Sequence, residues 1–109
     1  MRWEKRVLLV SAPDASHPSL TEQRSIITGW KSGADERDLA VVEIVGDRVV
    51  GASDPAAGVR KRYGLPTSSF TVVLIGKDGG AKLRRSRPIS AAVLQATIDA
   101  MPMRQDGGR

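Results

Sequence analysis

The chain has 109 residues, a formal net charge of +5 and no cysteine. The length fits one domain, and a composition of 40% hydrophobic and 27% charged residues excludes wholesale disorder. The missing cysteine excludes disulfides, thiolate metal sites and thiol chemistry, because the thiolate is the nucleophile in disulfide exchange and peroxide reduction. No apolar run approaches the roughly 20 residues that span a bilayer. We therefore predict a soluble protein with no membrane span, cytoplasmic as written and exported only if a leader has been removed.

The first half of the chain predicts a parallel strand–helix–strand unit. Residues 6–12 form a near-continuous apolar run, typical of a strand buried on both faces. A helix follows, with a capping box at residues 19–22 and a stop at Gly33. Residues 39–45 are rich in β-branched side chains and predict the second strand. Residues 48–50 are interpreted as a short extension or hairpin arm.

The second half predicts a helix, a strand hairpin and a last helix. An Asp-Pro pair begins the helix at residues 54–63. Residues 71–75 and 81–85 predict two strands, and the tight turn at 77–80 joins them. The last helix is predicted from its serine cap to the proline that ends it, over residues 90–102.

The predicted order is therefore β-α-β-α-β-β-α. A single four-stranded mixed sheet with helices on both faces satisfies it, which is the α/β arrangement of thioredoxin-like domains. A flavodoxin-like sheet would need a helix between the third and fourth strands, where four turn residues leave no room. We predict that this domain covers residues 1–104 and that residues 105–109 form a flexible C-terminal tail.

Segments along nearly the whole chain are similar to one family: Trp3 with residues 6–10, then residues 37–39, 74–80 and 98–104. The chain resembles a bacterial domain family of unknown function with a peroxiredoxin-like or thioredoxin-like fold. Related domains occur in some animal extracellular proteins that carry sushi repeats. The resemblance implies the fold but no established reaction. Where thioredoxins carry their redox cysteines, this chain has Ser11 to Ser19, which argues against disulfide oxidoreductase activity.

The loop after the first strand contains the single histidine, His17, together with Asp14, Ser16 and Ser19. A Ser–His–Asp relay would require these neighbours to meet in a defined geometry. Turns and helix caps prefer the same residue types, so we favour capping over catalysis. A weak anion site at Ser16, His17 and Ser19, at a helix start, is a further hypothesis. One His and one Asp make an incomplete metal set, and no cofactor is predicted.

A second candidate site follows from the predicted topology. The third strand runs opposite to the first two, so its C-terminal turn should lie beside the starts of those strands. We call this end of the sheet the pole. The residues that should converge there are Trp3, Arg37, Asp38, Lys77, Asp78, Asp99 and Arg104. We favour a structural seal of ion pairs over Trp3. The alternative is a ligand or partner site in which Arg37, Lys77 and Arg104 face an anion.

The positive charge is concentrated in the second half. Residues 1–50 carry 7 Lys/Arg and 8 Asp/Glu, a net of −1, whereas residues 51–109 carry 10 and 4, a net of +6. Most of the excess comes from residues 60–62 and 82–87. Such charge favours acidic partners, but nucleic-acid binding would also need interleaved aromatic side chains. We interpret these clusters as solvated surface and consider nucleic acid an improbable partner.

The sequence therefore favours a non-redox binding or interaction module, whose partner is an unknown protein or a small anionic ligand. One alternative is a peroxiredoxin-like enzyme that acts without a thiol through the His17 loop. The other is a basic-surface binder of nucleic acid or anions, which would use residues 60–62 and 82–87.

Overall fold

The protein is built around one mixed sheet with helices on both faces. A computed structural model describes residues 5–52 and 55–101. The strands are β1 (Arg6–Ala12), β2 (Leu39–Val45), β3 (Arg48–Val50), β4 (Thr71–Ile75) and β5 (Ala81–Arg85). Their order across the sheet is β3-β2-β1-β4-β5, so the first strand of the chain lies at the centre.

The sheet has five strands, which corrects the prediction of four. β3 pairs antiparallel with β2, placing Arg48 opposite Val45 and Val50 opposite Glu43. Gly46 allows the tight turn between them, because its φ of +59° is left-handed and glycine adopts that region without a steric penalty. A three-residue strand is at the lower limit of strand length. Its sequence pattern therefore did not distinguish a paired strand from an extension.

Four helices cover the sheet: α1 (Pro18–Gly29), α2 (Lys31–Glu36), α3 (Ala56–Tyr63) and α4 (Ala91–Asp99). The predicted stop at Gly33 is wrong. The first helix instead breaks at Trp30, and Gly33 lies inside α2. Packing explains the glycine at this position, since a Cβ at Gly33 would collide with Nε1 of the Trp30 indole. Glycine is required there by the close approach of an aromatic ring rather than by a turn.

The helix caps confirm the predictions in part. The side chain of Ser90 caps α4 by accepting a hydrogen bond from the Val93 amide at 3.2 Å, as predicted. The N-cap of α1 is His17 rather than Ser19, and Pro18 occupies the first helical position. α3 begins at Ala56 after an N-cap at Pro55. The predicted cap at residue 54, the final proline at 102 and the tail at 105–109 lie outside the described residues.

Two apolar clusters form the core, one on each face of the sheet. All seven residues of β1 are buried, as predicted for a strand covered on both faces. Leu8 and Val10 pack in the first cluster, with side chains from α1 and α4, while Val7 and Leu9 pack in the second, beneath α3. This alternation follows from the two-residue period of a strand.

The strand directions bring distant segments to one end of the sheet. β1 is parallel to β2 and antiparallel to β4. The end of β4 therefore lies beside the beginnings of β1 and β2, as the predicted topology requires. The end of α4 also reaches this pole, where its last residue, Asp99, contacts Arg37.

Candidate functional site

Arg37 is the centre of the predicted pole. Its Nε and a terminal nitrogen donate to the two carboxylate oxygens of Asp99, at 3.0 and 3.2 Å. The Arg37 side chain is only 10% exposed, while that of Asp99 is 41% exposed. The hydrogen bonds that Arg37 donates to Asp99 raise the pKa of the Arg37 guanidinium above its ordinary value. This geometry is a bidentate pair that joins α2 to the end of α4.

Three further contacts hold Arg37 in place. It donates to the Gly33 carbonyl at 3.1 Å, and its guanidinium lies 5.7 Å from the centre of the Trp30 ring. The backbone carbonyl of Arg37 accepts a 2.8 Å hydrogen bond from the buried Arg6. Gly33 therefore has two roles, because it leaves room for the indole and supplies an acceptor to the guanidinium stacked on it.

A second ion pair lies beside the first. The Lys77 ammonium is 3.0 Å from Oδ2 of Asp38, which connects the β4–β5 turn to the residue before β2. Asp38 has a φ of +54°, a left-handed conformation that aspartate tolerates better than most residues. The hydrogen bond from Lys77 lowers the pKa of the Asp38 carboxyl below its ordinary value.

The structure brings together four of the seven residues predicted to converge at the pole: Arg37, Asp38, Lys77 and Asp99. Asp78 is engaged within its own turn, where it accepts from the Gly80 amide and pairs with Lys82. These contacts, the Gly80 hydrogen bond first, lower the pKa of its carboxyl. Trp3 and Arg104 lie outside the described residues.

The pairing within the pole limits what it can bind. Arg37 and Lys77 each contact a carboxylate of the same domain. An anionic ligand would have to displace Asp99 or Asp38 from these cations. The geometry therefore suits the sealing of a domain end better than the capture of an anion.

The His17 loop has capping geometry. Nδ1 of His17 accepts from the Ser19 amide at 3.2 Å, and its ring stacks on Phe70 at 5.8 Å between centroids. Asp14 accepts from both the amide and the hydroxyl of Ser16, and these bonds lower the pKa of its carboxyl. In a relay, Nδ1 would instead donate to the carboxylate or accept from the nucleophile.

The same contacts bear on the predicted anion site at Ser16, His17 and Ser19. The amides of Ser16 and Ser19 are both directed at acceptors within the loop. The ionised Asp14 beside them repels an incoming anion. Across residues 5–52 and 55–101, no three His, Asp or Glu side chains are grouped so that they could hold a metal ion.

A third region emerges only from the tertiary structure. The guanidinium of Arg84 donates to the carbonyls of Tyr63 and Gly64, at 2.6 and 2.7 Å. These carbonyls lie at the C-terminal end of α3, where helix carbonyls have no partner in the helix. Arg84 thus attaches β5 to α3 and draws the two basic segments of the sequence together.

We call the resulting surface the basic edge, because β5 is the last strand of the sheet. Its members are exposed cations: Lys61, Arg62, Lys82, Arg84, Arg85 and Arg87. Within the part of the chain that the structure describes, Lys61, Arg84, Arg85 and Arg87 form no ion pair with a carboxylate. The basic edge therefore differs from the pole in having cations available for an external partner.

Sequence reasoning recognised both basic segments but not their meeting. Tyr63 and Arg84 are 21 residues apart, and nothing in their spacing shows that they touch. One signal was available, since Gly64 in the left-handed region ends α3 and leaves carbonyls that a nearby arginine can satisfy. Arg6 was also overlooked as a buried support of Arg37, because it stood inside an apolar strand pattern.

The fold is similar to that of a solved thioredoxin. A structure of thioredoxin-2, described as a component of malaria parasite protein secretion machinery, superimposes with a TM-score of 0.65. The match covers 89% of this chain and 84% of that one, at 13% sequence identity. At this identity the likeness concerns the fold alone.

Several curated proteins are similar in sequence. Sushi repeat-containing protein SRPX of Rattus norvegicus is 30% identical over 112 residues, which cover 94% of this chain. Coiled-coil domain-containing protein 80 of Danio rerio is 23% identical over 126 residues, or 95% of this chain. The chain spans 24% of the rat protein and 14% of the zebrafish protein, so it matches only a part of each.

No helix within the described ranges is both long and apolar enough to cross a membrane. A family model matches residues 1–107, almost the whole chain. The chain belongs to the family described as Domain of unknown function (DUF4174).

Proposed function

We propose that this domain is a non-redox interaction module that binds an acidic protein partner through the basic edge. The observation that carries the proposal is the pair of hydrogen bonds from Arg84 to the carbonyls of Tyr63 and Gly64. This contact makes one surface from two basic segments that are separate in the sequence. Thiol chemistry has no part in it, because the chain has no cysteine.

The charge of this half of the chain supports an acidic partner. Residues 55–101 contain eight Lys or Arg but only two carboxylates, Asp78 and Asp99. Asp99 pairs with Arg37 at the pole, and Asp78 pairs with Lys82. Lys61, Arg84, Arg85 and Arg87 form no ion pair with a carboxylate among the described residues. A surface of this kind attracts acidic groups and accelerates their association.

The aromatic content favours a polypeptide over nucleic acid. Binding of single strands uses aromatic faces on which bases stack. Tyr63 is the aromatic residue beside the basic edge, and it is half-buried with its hydroxyl directed at the Gly79 carbonyl at 3.4 Å. The Arg62 guanidinium lies 5.9 Å from the centre of its ring. No open stacking surface supports base recognition here.

The pole has a structural role in this proposal. Its two ion pairs tie α2, the start of β2, the β4–β5 turn and the end of α4 together. We infer that these pairs stabilise the domain and that the ligand role predicted for Arg37 and Lys77 is the weaker hypothesis. Replacing both residues should lower the melting temperature and leave partner binding unchanged.

A peroxiredoxin-like enzyme acting through the His17 loop is the alternative prediction. It would require His17 to give up its capping contact with Ser19. Peroxide and disulfide turnover by the purified domain at the level of buffer would remove this alternative. Turnover that disappears in His17→Ala would instead replace the present proposal.

The proposal is tested with poly-L-glutamate and with oligonucleotides of equal total charge. We expect the domain to bind poly-L-glutamate in low salt, and to bind it more weakly as the salt concentration rises. Arg85→Glu with Arg87→Glu should abolish binding, since it reverses two exposed cations of the basic edge. Arg85→Glu alone is compared with Arg48→Glu, which changes the net charge equally at an exposed arginine of β3 on the opposite edge of the sheet.

Two outcomes would contradict the proposal. One is no binding of poly-L-glutamate at low salt by the intact domain. The other is equal loss of binding in Arg85→Glu and in Arg48→Glu, which would show that net charge alone is responsible. Tighter binding of the oligonucleotides than of poly-L-glutamate would assign the basic edge to nucleic acid instead.

A further inference from the structure

We propose that the acidic partner binds as an extended segment that adds a sixth strand to the sheet along β5. This inference rests on the proposed function and specifies the form of the partner. Strand addition uses main-chain hydrogen bonds for affinity and alternating side chains for specificity. Three features of β5 support it: an open backbone edge, cations on both faces, and an apolar position beside them.

The backbone edge of β5 is open among the described residues. β5 has β4 as its single neighbour in the sheet, and every residue of β5 except the half-buried Leu83 is exposed. The Arg84 carbonyl accepts a 2.8 Å hydrogen bond from the side chain of Arg85. We infer that this carbonyl faces the outer edge, where a flexible guanidinium satisfies it until a backbone amide takes its place.

The cations of β5 lie on both faces of the sheet. Arg84 pairs with Val73 of the second cluster, so its side chain lies on the α3 side. Arg85 pairs with Val72 of the first cluster, so its side chain lies on the α4 side. Successive side chains of an incoming strand also alternate between the faces. Acidic residues on either face of that strand would therefore meet an arginine.

An apolar position completes the surface on the α4 side. A shallow groove of about 220 Å³ is lined by Arg85, Arg87, Pro88, Ile89, Ser90 and Val93. Val93 is 43% exposed, which makes it the second most exposed large hydrophobic residue that the structure describes. An apolar residue placed among acidic ones would cover Val93 while its neighbours pair with the arginines. The expected segment is therefore acidic with interspersed apolar residues.

The charge of β5 argues against a second copy of this chain as the occupant. Two β5 strands would bring like charges directly opposite one another, which is the device by which natural sheets prevent edge-to-edge pairing. An acidic strand would instead be attracted by the cations of β5. The opposite edge suits such a partner less well, because β3 has three residues and a single cation, Arg48.

The test uses a peptide of about ten residues that carries glutamates on both faces and a single valine near its centre, close to the upper length of common strands. Its matched control carries N-methyl groups on alternate amides, which retains the charge but removes main-chain donors on one edge. A pair of control peptides, methylated on either edge, covers both orientations. We expect one methylated peptide to bind about tenfold more weakly than the parent, equivalent to one or two hydrogen bonds. Hydrogen exchange of the Arg84 amide should slow when the parent peptide binds.

The outcomes separate this inference from the proposed function. If poly-L-glutamate and all three peptides bind equally, the basic edge binds acidic chains but strand addition is wrong. If none binds, the proposed function itself fails. Weaker binding of one methylated peptide, with slowed exchange at Arg84 and none at Val49 of β3, would support strand addition. Slowed exchange at Val49 instead would place the partner on the other edge and overturn the inference.

Discussion

The pole and the basic edge contain similar side chains in opposite electrostatic situations. At the pole, Arg37 and Lys77 are paired with carboxylates from distant parts of the chain. At the basic edge, Arg85 and Arg87 have no carboxylate partner among the described residues. The presence of an arginine in this protein therefore does not by itself indicate its role. Its partner and its burial decide whether it stabilises the domain or is available to another molecule.

The largest expected effect is at the pole. Arg37→Ala removes a bidentate pair with Asp99 that a nearly buried guanidinium makes. We expect a loss of about 2–3 kcal/mol in the free energy of unfolding, below the full cost of a buried pair because Asp99 is partly exposed. Chemical denaturation measures it. The matched control is Arg24→Ala, which breaks a similar bidentate pair with Glu43.

Burial distinguishes these two arginines. The Arg24 side chain is 48% exposed, against 10% for Arg37. We expect Arg24→Ala to cost less than about 1 kcal/mol, as is usual for an exposed pair. Equal losses in the two variants would contradict the structural role assigned to the pole.

The second prediction concerns the attachment of β5 to α3. Arg84→Ala removes two hydrogen bonds to the carbonyls of Tyr63 and Gly64 at the helix end. We expect a loss of about 1–2 kcal/mol, since both bonds are charge-assisted but exposed. Arg85→Ala is the control, because the side-chain hydrogen bond of Arg85 described here is local, to the carbonyl of Arg84, and the change should leave stability within about 0.5 kcal/mol of the parent. Should Arg85→Ala be the more damaging change, the attachment is misassigned.

The third prediction is a pair of glycine substitutions. At Gly33 an added methyl group would collide with the Trp30 indole and displace it from Arg37. We expect Gly33→Ala to cost about 1 kcal/mol net, because overpacking exceeds the gain in helix propensity. Gly29→Ala meets no atom within 4 Å, so it should stabilise α1 by up to about 1 kcal/mol. Melting curves compare the two, and tryptophan fluorescence should shift only in Gly33→Ala.

The smallest expected effect is at the outer ion pair of the pole. Lys77→Met removes the partner of Asp38, at a cost of about 0.5 kcal/mol for a mostly exposed pair. Lys77 lowers the pKa of Asp38 in the folded state. The contribution is therefore present above the ordinary aspartate pKa and is lost as the pH falls below about 3.8 through the lowered value.

The measurement is the difference in unfolding free energy between Lys77→Met and the parent as a function of pH. It should be constant near neutrality and shrink on acidification below the ordinary aspartate range. Lys31→Met, which removes the exposed partner of Asp35 within α2, is the control for a pair that joins no separate elements. A difference that grows on acidification would contradict the role of Asp38.

Most of the fold could be predicted because its signals are local. The apolar run of β1, the tight turn at residues 77–80 and the serine at the start of α4 each act within a few residues. β3 was ambiguous because three residues carry too little pattern. The role of Gly33 could not be predicted, since it depends on where the Trp30 indole packs.

The candidate sites show the same difference between features that could be predicted and tertiary contacts that could not. The topology was sufficient to place Arg37, Asp38, Lys77 and Asp99 at one pole, because strand direction alone determines which ends meet. It did not show that Arg37 would pair with Asp99 rather than with Asp38 or Asp78. The basic edge depends on a contact between α3 and β5 that no periodicity encodes. Tertiary contacts of single long side chains are therefore the part that sequence reasoning could not supply.

The central position of β1 has a consequence for biosynthesis. Among the described strands β1 leaves the ribosome before the others, but its neighbour β4 begins at Thr71, about sixty residues later. Until then one side of this largely apolar strand has no permanent cover, because domains complete their packing only when the last element of the core is available. Such long-range pairing also slows folding. We expect ribosome-bound chains that stop before β4 to be captured by chaperones, and chains that extend past β5 to escape them.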